Sequence, residues 1–342
     1  MNNSWTKKIS MLLLLFLLIS VLGVSSMYTT EVWAETRNIV FRLDWYPSSY
    51  HAPIFVALEK GYWKDKGINV EVQFGIGSTD TVKMVGIGQA DFGWANTVVA
   101  TNAIEKGLQI KTIYGIYQKN ALGFMVFEDS GIKSATDFRG KKIAYSGVGE
   151  EAVLFELWRK TNGLDSTDIE KIAIGSREVQ RTMFLEGKID GYWETLFSNI
   201  PVLQKQTNKK IIGILISEGL HPINLLLQGI VVNTKIIQED PELVKGFLKG
   251  FKEGFMYSID HPEEAIDIMM HRVPEIQDRE ISLEMLKNSF NLLKTNNSED
   301  LPIGTFAKED WDGTIEIMVE MGNLERGQDY DKYYTNKFIP SN

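Results

Sequence analysis

The sequence predicts an α/β protein of two similarly built lobes, each a mainly parallel sheet flanked by helices, joined by two crossing segments. Three observations carry that expectation. GIGQADFGWANT at residues 86–97 returns as LEGKIDGYWETL at residues 185–196. In both stretches helical spacing stops at Gly, and Gly-x-x-Asp then leads through a short apolar strand to Trp. Each stretch also closes a run of strand, helix, strand and helix, the order that builds parallel sheets. Finally, 342 residues at 44% apolar and 24% charged suffice for two lobes with separate cores.

The elements follow in order. Asn38 to Leu43 (NIVFRL) is rich in β-branched and aromatic residues and reads as a strand, and His51 to Tyr62 has helical spacing that stops near Gly61. Asn69 to Phe74 alternates as a second strand. Gly75 to Ser78 makes a turn, and Ser78 or Thr79 is placed to cap a helix over Asp80 to Ile87. The second block repeats this with a strand at Lys141–Ser146, a helix at Glu150–Thr161, a strand at Glu170–Ile174 and a helix at Glu178–Glu186. Laid over each other, Gly88 matches Gly187, Asp91 matches Asp190 and Trp94 matches Trp193. GFMVF at 123–127 and QGIVVN at 228–233 read as the crossing strands. Lobe one is therefore expected over 35–122 and 229–342, and lobe two over 123–228. Residues beyond 241 are mostly helical by spacing.

Residues 1–34 carry Lys7 and Lys8 ahead of an apolar run from Met11 to Val24, and Val32-Trp33-Ala34 fits a small-residue cleavage site. That is the pattern of a removable export signal. The run is shorter than the roughly 20 residues of a spanning helix. Cleavage after Ala34 removes two of 36 basic and one of 45 acidic residues, leaving 34 against 44 and a net charge of −10. Such a surface repels nucleic acid and anionic lipid. There is no cysteine, so disulfides, thiolate metal sites, thiol nucleophiles and a lipid-anchoring cysteine are all excluded. An exported chain without that anchor points to a periplasm. Nothing in the sequence argues for a homo-oligomer, and a monomer is expected.

Ligands of open parallel sheets sit beyond the carboxyl ends of the strands. Trp94 and Trp193 stand at such ends, one per lobe, each followed by polar residues: Asn96 and Thr97 in the first, Glu194 and Thr195 in the second. The expectation is that the two indoles wall a cleft between the lobes, with core packing as the alternative. LDWYPSSYHAP at 43–53 is the densest polar and aromatic stretch, joining a strand to a helix; Trp45 and Tyr50 suit stacking on a planar ligand, and His51 suits a hydrogen bond. His221, His261 and His271 fall at unrelated spacings, so no metal site is expected. Gly147, Gly149 and Glu150 join another strand to a helix, where glycines let backbone approach a bound group. Acids there, Glu150 and Glu151, serve either as helix-dipole partners or as acceptors for a neutral or basic heterocycle. The GxG stretches lack a full dinucleotide fingerprint, and no G-x-S-x-G, P-loop or H-E-x-x-H motif is present. Binding without turnover, and no cofactor, is the expectation.

The stretches LDWYPSSYHAPIFVALEKGYWKDKGINVEV, GSTDTVKMVGIGQADFGWAN and DFRGKKIAYSGVGEEAVL resemble exported solute-binding proteins of ABC importers, in the group that includes receptors for nitrate, taurine, alkanesulfonates and the pyrimidine precursor of thiamine. The resemblance covers essentially the whole chain after residue 34. It implies a two-lobed type II periplasmic-binding fold that closes on a small molecule and delivers it to membrane permease subunits. The Leu-Asp-Trp opening, His51 and Glu150-Glu151-Ala152 most resemble the pyrimidine-precursor branch, which nominates Trp45, His51, Trp94, Gly147, Glu150 and Trp193 as pocket residues. Where that branch has an Asn-rich turn before the His, this chain has Pro47-Ser48-Ser49-Tyr50. Binding of taurine, an alkanesulfonate or nitrate is the alternative. A related enzyme subgroup makes the thiamine pyrimidine itself, but its cysteine-rich iron motif has no counterpart here. A binding subunit that feeds a sensor kinase would read the same.

Overall fold

Two five-stranded sheets carry the fold in the computed structural model, which describes residues 36–218, 222–327 and 329–341, with backbone alone at positions 149 and 150. The expected export signal and His221 lie outside the described residues. Sheet one takes β1 (Arg37–Arg42), β2 (Ile68–Gln73), β3 (Phe92–Asn96), β4 (Ile110–Gly115) and β10 (Gln228–Asn233), in the order β2-β1-β3-β10-β4. Sheet two takes β5 (Leu122–Phe127), β6 (Lys142–Tyr145), β7 (Glu170–Ala173), β8 (Gly191–Thr195) and β9 (Ile211–Leu215), in the order β7-β6-β8-β5-β9. The orders superpose element by element. β1 pairs in parallel with β2 and β3, as β6 does with β7 and β8; β10 and β5 run antiparallel to both their neighbours. The chain leaves sheet one after β4 to enter sheet two at β5, and returns from β9 to β10. Two sheets of one build with two crossings are what the repeat predicts, and the strand orders agree with the type II periplasmic-binding fold that the family resemblance implies.

The helices are α1 (Ala52–Glu59, after a 3-10 turn at Ser49–His51), α2 (Ser78–Gly86), α3 (Thr97–Glu105), α4 (Gly149–Thr161), α5 (Arg177–Leu185), α6 (Leu196–Gln204), α7 (Thr234–Glu239), α8 (Pro241–Asp260), α9 (Pro262–Arg272), α10 (Arg279–Phe290) and α11 (Lys308–Glu320). The long α8 covers sheet one because its Phe247, Phe251 and Phe255 recur every fourth residue and so share one face. Phe247 stacks on Phe92 with ring centroids 3.9 Å apart and meets Phe41 edge-on at 5.1 Å.

The repeated Gly-x-x-Asp has a structural cause in both lobes. Gly88 and Gly187 adopt φ of 74° and 70° just after α2 and α5, the left-handed conformation that ends a helix at no steric cost to glycine. Three residues on, the Asp91 carboxylate accepts from the Val40 N–H at 2.7 Å while the Asp91 N–H donates to the Val40 carbonyl at 3.0 Å. Asp190 does the same with Lys142, at 2.7 and 2.8 Å. Each Asp thus fastens the start of one strand to the neighbouring parallel strand and sets the register. Burial raises the Asp91 pKa above the ordinary aspartate value, against the opposing effect of the Val40 N–H.

Three expectations are corrected here. Ser78 does not cap α2: the cap position is Gly77 without a side-chain bond, and the Ser78 hydroxyl accepts from the Asn96 N–H at 3.0 Å. The edge strands β4 and β9 are additions to the expected elements: IKTIYG and IIGIL are short apolar runs that pair at the sheet edges. Most consequentially, the two indoles do not wall a gap. Trp94 is 0% and Trp193 2% exposed, and they belong to different cores. Trp94 lies against Phe251 and Phe255 of α8, and Trp193 against Phe124 of β5 and Phe155 of α4. Each sits on a central strand whose faces are covered by helices, so its large apolar surface is removed from water.

Candidate ligand site

The carboxyl ends of β1 and β3 and the first residue of β10 meet at one buried polar group. Asp44, 7% exposed, accepts from His51 Nε2 at 2.8 Å through Oδ1 and from Gln228 Nε2 at 2.8 Å through Oδ2. The Ser48 N–H donates to His51 Nδ1 at 3.1 Å, so Nδ1 is unprotonated and the proton sits on Nε2, facing the carboxylate. His51 is therefore a neutral donor held by two partners. The 3-10 turn delivers it there: Ser48 and His51 form a reciprocal capping pair that ends the loop after β1 and starts α1.

Aromatic rings enclose this group. The Tyr50 ring lies 4.2 Å from His51, and Trp94 meets His51 edge-on at 4.9 Å. Tyr117 lies 5.6 Å from Trp94 and donates its hydroxyl to the Tyr50 carbonyl at 2.8 Å, while Ser289 donates to Tyr117 at 3.0 Å. Lobe two contributes Phe197 of α6, 5.7 Å from Tyr50 and 6.3 Å from Tyr117. That contact brings the carboxyl end of β8 to the carboxyl end of β1. Burial pushes the Tyr50 hydroxyl well above the ordinary tyrosine pKa, with the Asp44 and Tyr117 charges adding to the effect. Two buried polar atoms of the cluster, Trp94 Nε1 and Gln228 Oε1, have no partner among the described residues. One is a donor and one an acceptor, and each left unmet costs about 1–3 kcal/mol.

Lobe two presents a charged group at the ends of β6, β7 and β8. Arg177 and Arg181, one turn apart on α5, face Glu151 and Glu194. Arg177 pairs with the Glu151 carboxylate and also donates to Gln180 and to the Trp193 carbonyl. Glu151 further accepts from the Ser146 N–H at 2.7 Å. Glu194, 9% exposed, has its pKa raised by burial, opposed by the Thr195 N–H that donates to it at 2.8 Å and by both guanidinium groups. Arg181 Nε is buried without a partner among the described residues. Glu151, read from the sequence as a helix-dipole partner or a ligand acceptor, is matched instead by Arg177.

The other nominated residues separate into three groups. Asn96 is taken up as the cap of α3, its side chain accepting from the Val98 and Val99 N–H groups at 2.9 and 3.2 Å, and the Thr97 hydroxyl is buried and donates to the Leu226 carbonyl. The Asn96 oxygen and the Thr97 hydroxyl hydrogen are thus committed to the chain itself, because the helix start after β3 has its own donors to satisfy. Gly147 has φ 75°, and a Cβ there would stand 2.6 Å from that of Ala173, so its glycine answers to packing. Gly149 and Glu150 open α4, but their side-chain environment lies outside the described residues. Trp45 is 52% exposed, edge-on to the exposed Tyr46 at 6.3 Å. Sequence reasoning missed Asp44, Tyr117, Phe197, Gln228, Arg177 and Arg181. The spacing Arg177-x-x-x-Arg181 after Gly175-Ser176 was a signal for the last pair. Gln228 lies 184 residues from Asp44, and no local signal links them. Among the described residues no group of three or more His, Asp or Glu side chains is placed to hold a metal ion.

Comparison with known proteins agrees with this architecture. A 4-amino-5-hydroxymethyl-2-methylpyrimidine phosphate synthase of Legionella pneumophila is 24% identical over 303 residues, covering 89% of this chain and 92% of its own. The riboflavin-binding protein RibY of Chloroflexus aurantiacus is 26% identical over 318 residues, covering 89% and 86%. Among solved structures, the periplasmic aliphatic sulphonate binding protein SsuA from Escherichia coli superposes with a TM-score of 0.66 at 14% identity, over 87% of this chain and 92% of its own, a likeness of fold. Residues 48–265 match the family model described as NMT1/THI5 like, and the chain belongs to that family.

Proposed function

We propose that this protein is the extracytoplasmic solute-binding component of an ABC importer, capturing a small planar nitrogen heterocycle, such as a thiamine pyrimidine precursor, between its lobes. The observation that carries the reading is the pair Trp94 Nε1 and Gln228 Oε1, a donor and an acceptor left unmet beside a neutral His51 that Tyr50 and Trp94 flank; both atoms are covered in this structure, so a ligand reaches them only as the lobes part. An aminopyrimidine offers a ring-nitrogen acceptor, an amino donor and a flat face. Glu194, kept partly dry at the facing end of lobe two, supplies a further acceptor. Stacking at about 1 kcal/mol per ring pair, with charge-assisted bonds of about 1.5–3, suits micromolar or tighter capture.

The lobes of this reading comprise residues 35–122 with 229–342, and 123–228, and they pivot near 122–127 and 228–232. Gln228 ties one pivot to Asp44, so lobe angle and the polar group move together. The acidic surface and residues 1–34 support export to a periplasm and delivery to membrane permease subunits, with the protein acting as a monomer.

A second reading keeps the transport role but enlarges the solute to a fused-ring flavin, in line with the name of the Chloroflexus relative. It is favoured by the apolar rim at the ends of β1 and β2, where Trp45, Tyr46, Phe74 and Ile76 are 46–63% exposed. Calorimetry with 4-amino-5-hydroxymethyl-2-methylpyrimidine, riboflavin, taurine, an alkanesulfonate and nitrate separates these readings. Tight binding of a sulfonate without response to either heterocycle overturns both. Recovery of a chemically altered pyrimidine after incubation moves the protein to the enzyme class.

A further inference from the structure

Beside the two crossings lies a cavity of about 530 Å³ that shares no residue with the cluster around His51 or the charged group at Glu194. Both connections between the sheets line it: Gln118 and Asn120 from the first, Ser217 and Asn224 from the second. Asn291 and Asn296 of the segment after α10 complete its polar side. The volume is that of a small-molecule site. Its chemistry is amide-rich. Gln118 is 1% exposed; its amide nitrogen donates to the Leu293 and Thr305 carbonyls, and its Oε1 is buried without a partner among the described residues. Asn120 spends its oxygen on the Leu122 N–H, and its amide hydrogens have no partner among the described residues. The side-chain amides of Asn224, Asn291 and Asn296 make no hydrogen bond among the described residues. Three charged residues line the cavity, Lys119, Glu218 and Asp310, and the Asp310 carboxylate already accepts from Thr295 and Asn297. Four leucines contribute the apolar part of the wall.

We infer that this cavity is a second binding site, for a neutral polyhydroxylated solute. Amide groups offer donor and acceptor a short distance apart, the pattern that vicinal hydroxyls complement, while leucines accept the C–H face of such a molecule. An aromatic heterocycle finds no ring to stack on there, and an anion meets an excess of one negative charge from Glu218 and Asp310 against Lys119. Because the occupant touches both crossings, its affinity depends on the angle between the lobes, and by reciprocity it shifts that angle.

The test uses ribitol, D-sorbitol and sucrose as probes, each titrated into the purified protein with saturation-transfer NMR on the probe. At least one is expected to bind, to bind about fivefold more weakly for each amide removed in Asn224→Ala and Asn296→Ala, and to be unaffected by Glu194→Gln. Both asparagines are solvent-exposed, so the variants keep the wild-type melting temperature. Absence of transfer from all three probes overturns the inference, as does equal affinity in both asparagine variants. Loss of binding in Glu194→Gln places the polyol in the cleft and also overturns it.

Discussion

Replacing Trp193 by Ala distinguishes a structural indole from a ligand-facing one. The side chain is 2% exposed and packs on Phe124 at 5.2 Å and Phe155 at 6.3 Å. A buried Trp removes up to about 250 Å² from water, which at about 25 cal/mol per Å² sets an upper bound of about 6 kcal/mol. Measured Trp-to-Ala losses in cores run about 3–5 kcal/mol, because neighbours only partly fill the hole. At about 2–4 °C per kcal/mol, the melting temperature is expected to fall by about 6–20 °C. Urea unfolding of wild type and variant, followed by circular dichroism, gives the loss directly, and calorimetry with the bound heterocycle gives the effect on affinity below the variant's transition. A stability loss under about 1 kcal/mol together with a tenfold or greater loss of affinity would refute the core assignment and return the ring to the wall of the cleft.

Two further outcomes follow from named hydrogen bonds and charges. Glu194 has a raised pKa in the folded state, so its contribution to stability is fully present below the unfolded value near 4.5 and is lost as pH rises through the folded pKa. Wild type should therefore lose stability relative to Glu194→Gln between pH 4.5 and the folded pKa, and a difference in urea midpoint that stays constant from pH 4.5 to 8 contradicts this. Asp190→Ala removes the acceptor of the Lys142 N–H and should cost about 1.5–3 kcal/mol; denaturation that is unchanged within about 0.5 kcal/mol would deny the carboxylate its role in setting register.

The two-lobed plan was legible because it rests on local chemistry that repeats. Gly88 and Gly187 end helices, and Asp91 and Asp190 pair strands, within single short stretches. The edge strands β4 and β9 were harder to read: IKTIYG and IIGIL are short apolar runs, which periodicity alone cannot assign to helix or strand. The site was legible only where one loop carries it. Tyr50 and His51 stood out in LDWYPSSYHAP, and His51 proved to be a hub. Its partner Gln228 comes from the far crossing, and Phe197 from the other lobe, so distance along the chain hid both. The indoles misled because a Trp at a strand end reads alike whether a helix or solvent covers it. Asn96 misled for a related reason: a polar residue after a strand serves first as the cap of the helix that follows.

The placement of β10 between β3 and β4 constrains the order of assembly. Every strand of sheet two comes from the contiguous stretch Leu122–Leu215, whereas sheet one has a vacancy between β3 and β4 until Gln228–Asn233 arrives. A chain emerging from the ribosome can finish its second half before its first, and until then β3 offers an unpaired edge to any passing strand. A premature stop before residue 228 should therefore yield a product prone to aggregate rather than a free-standing amino-terminal half.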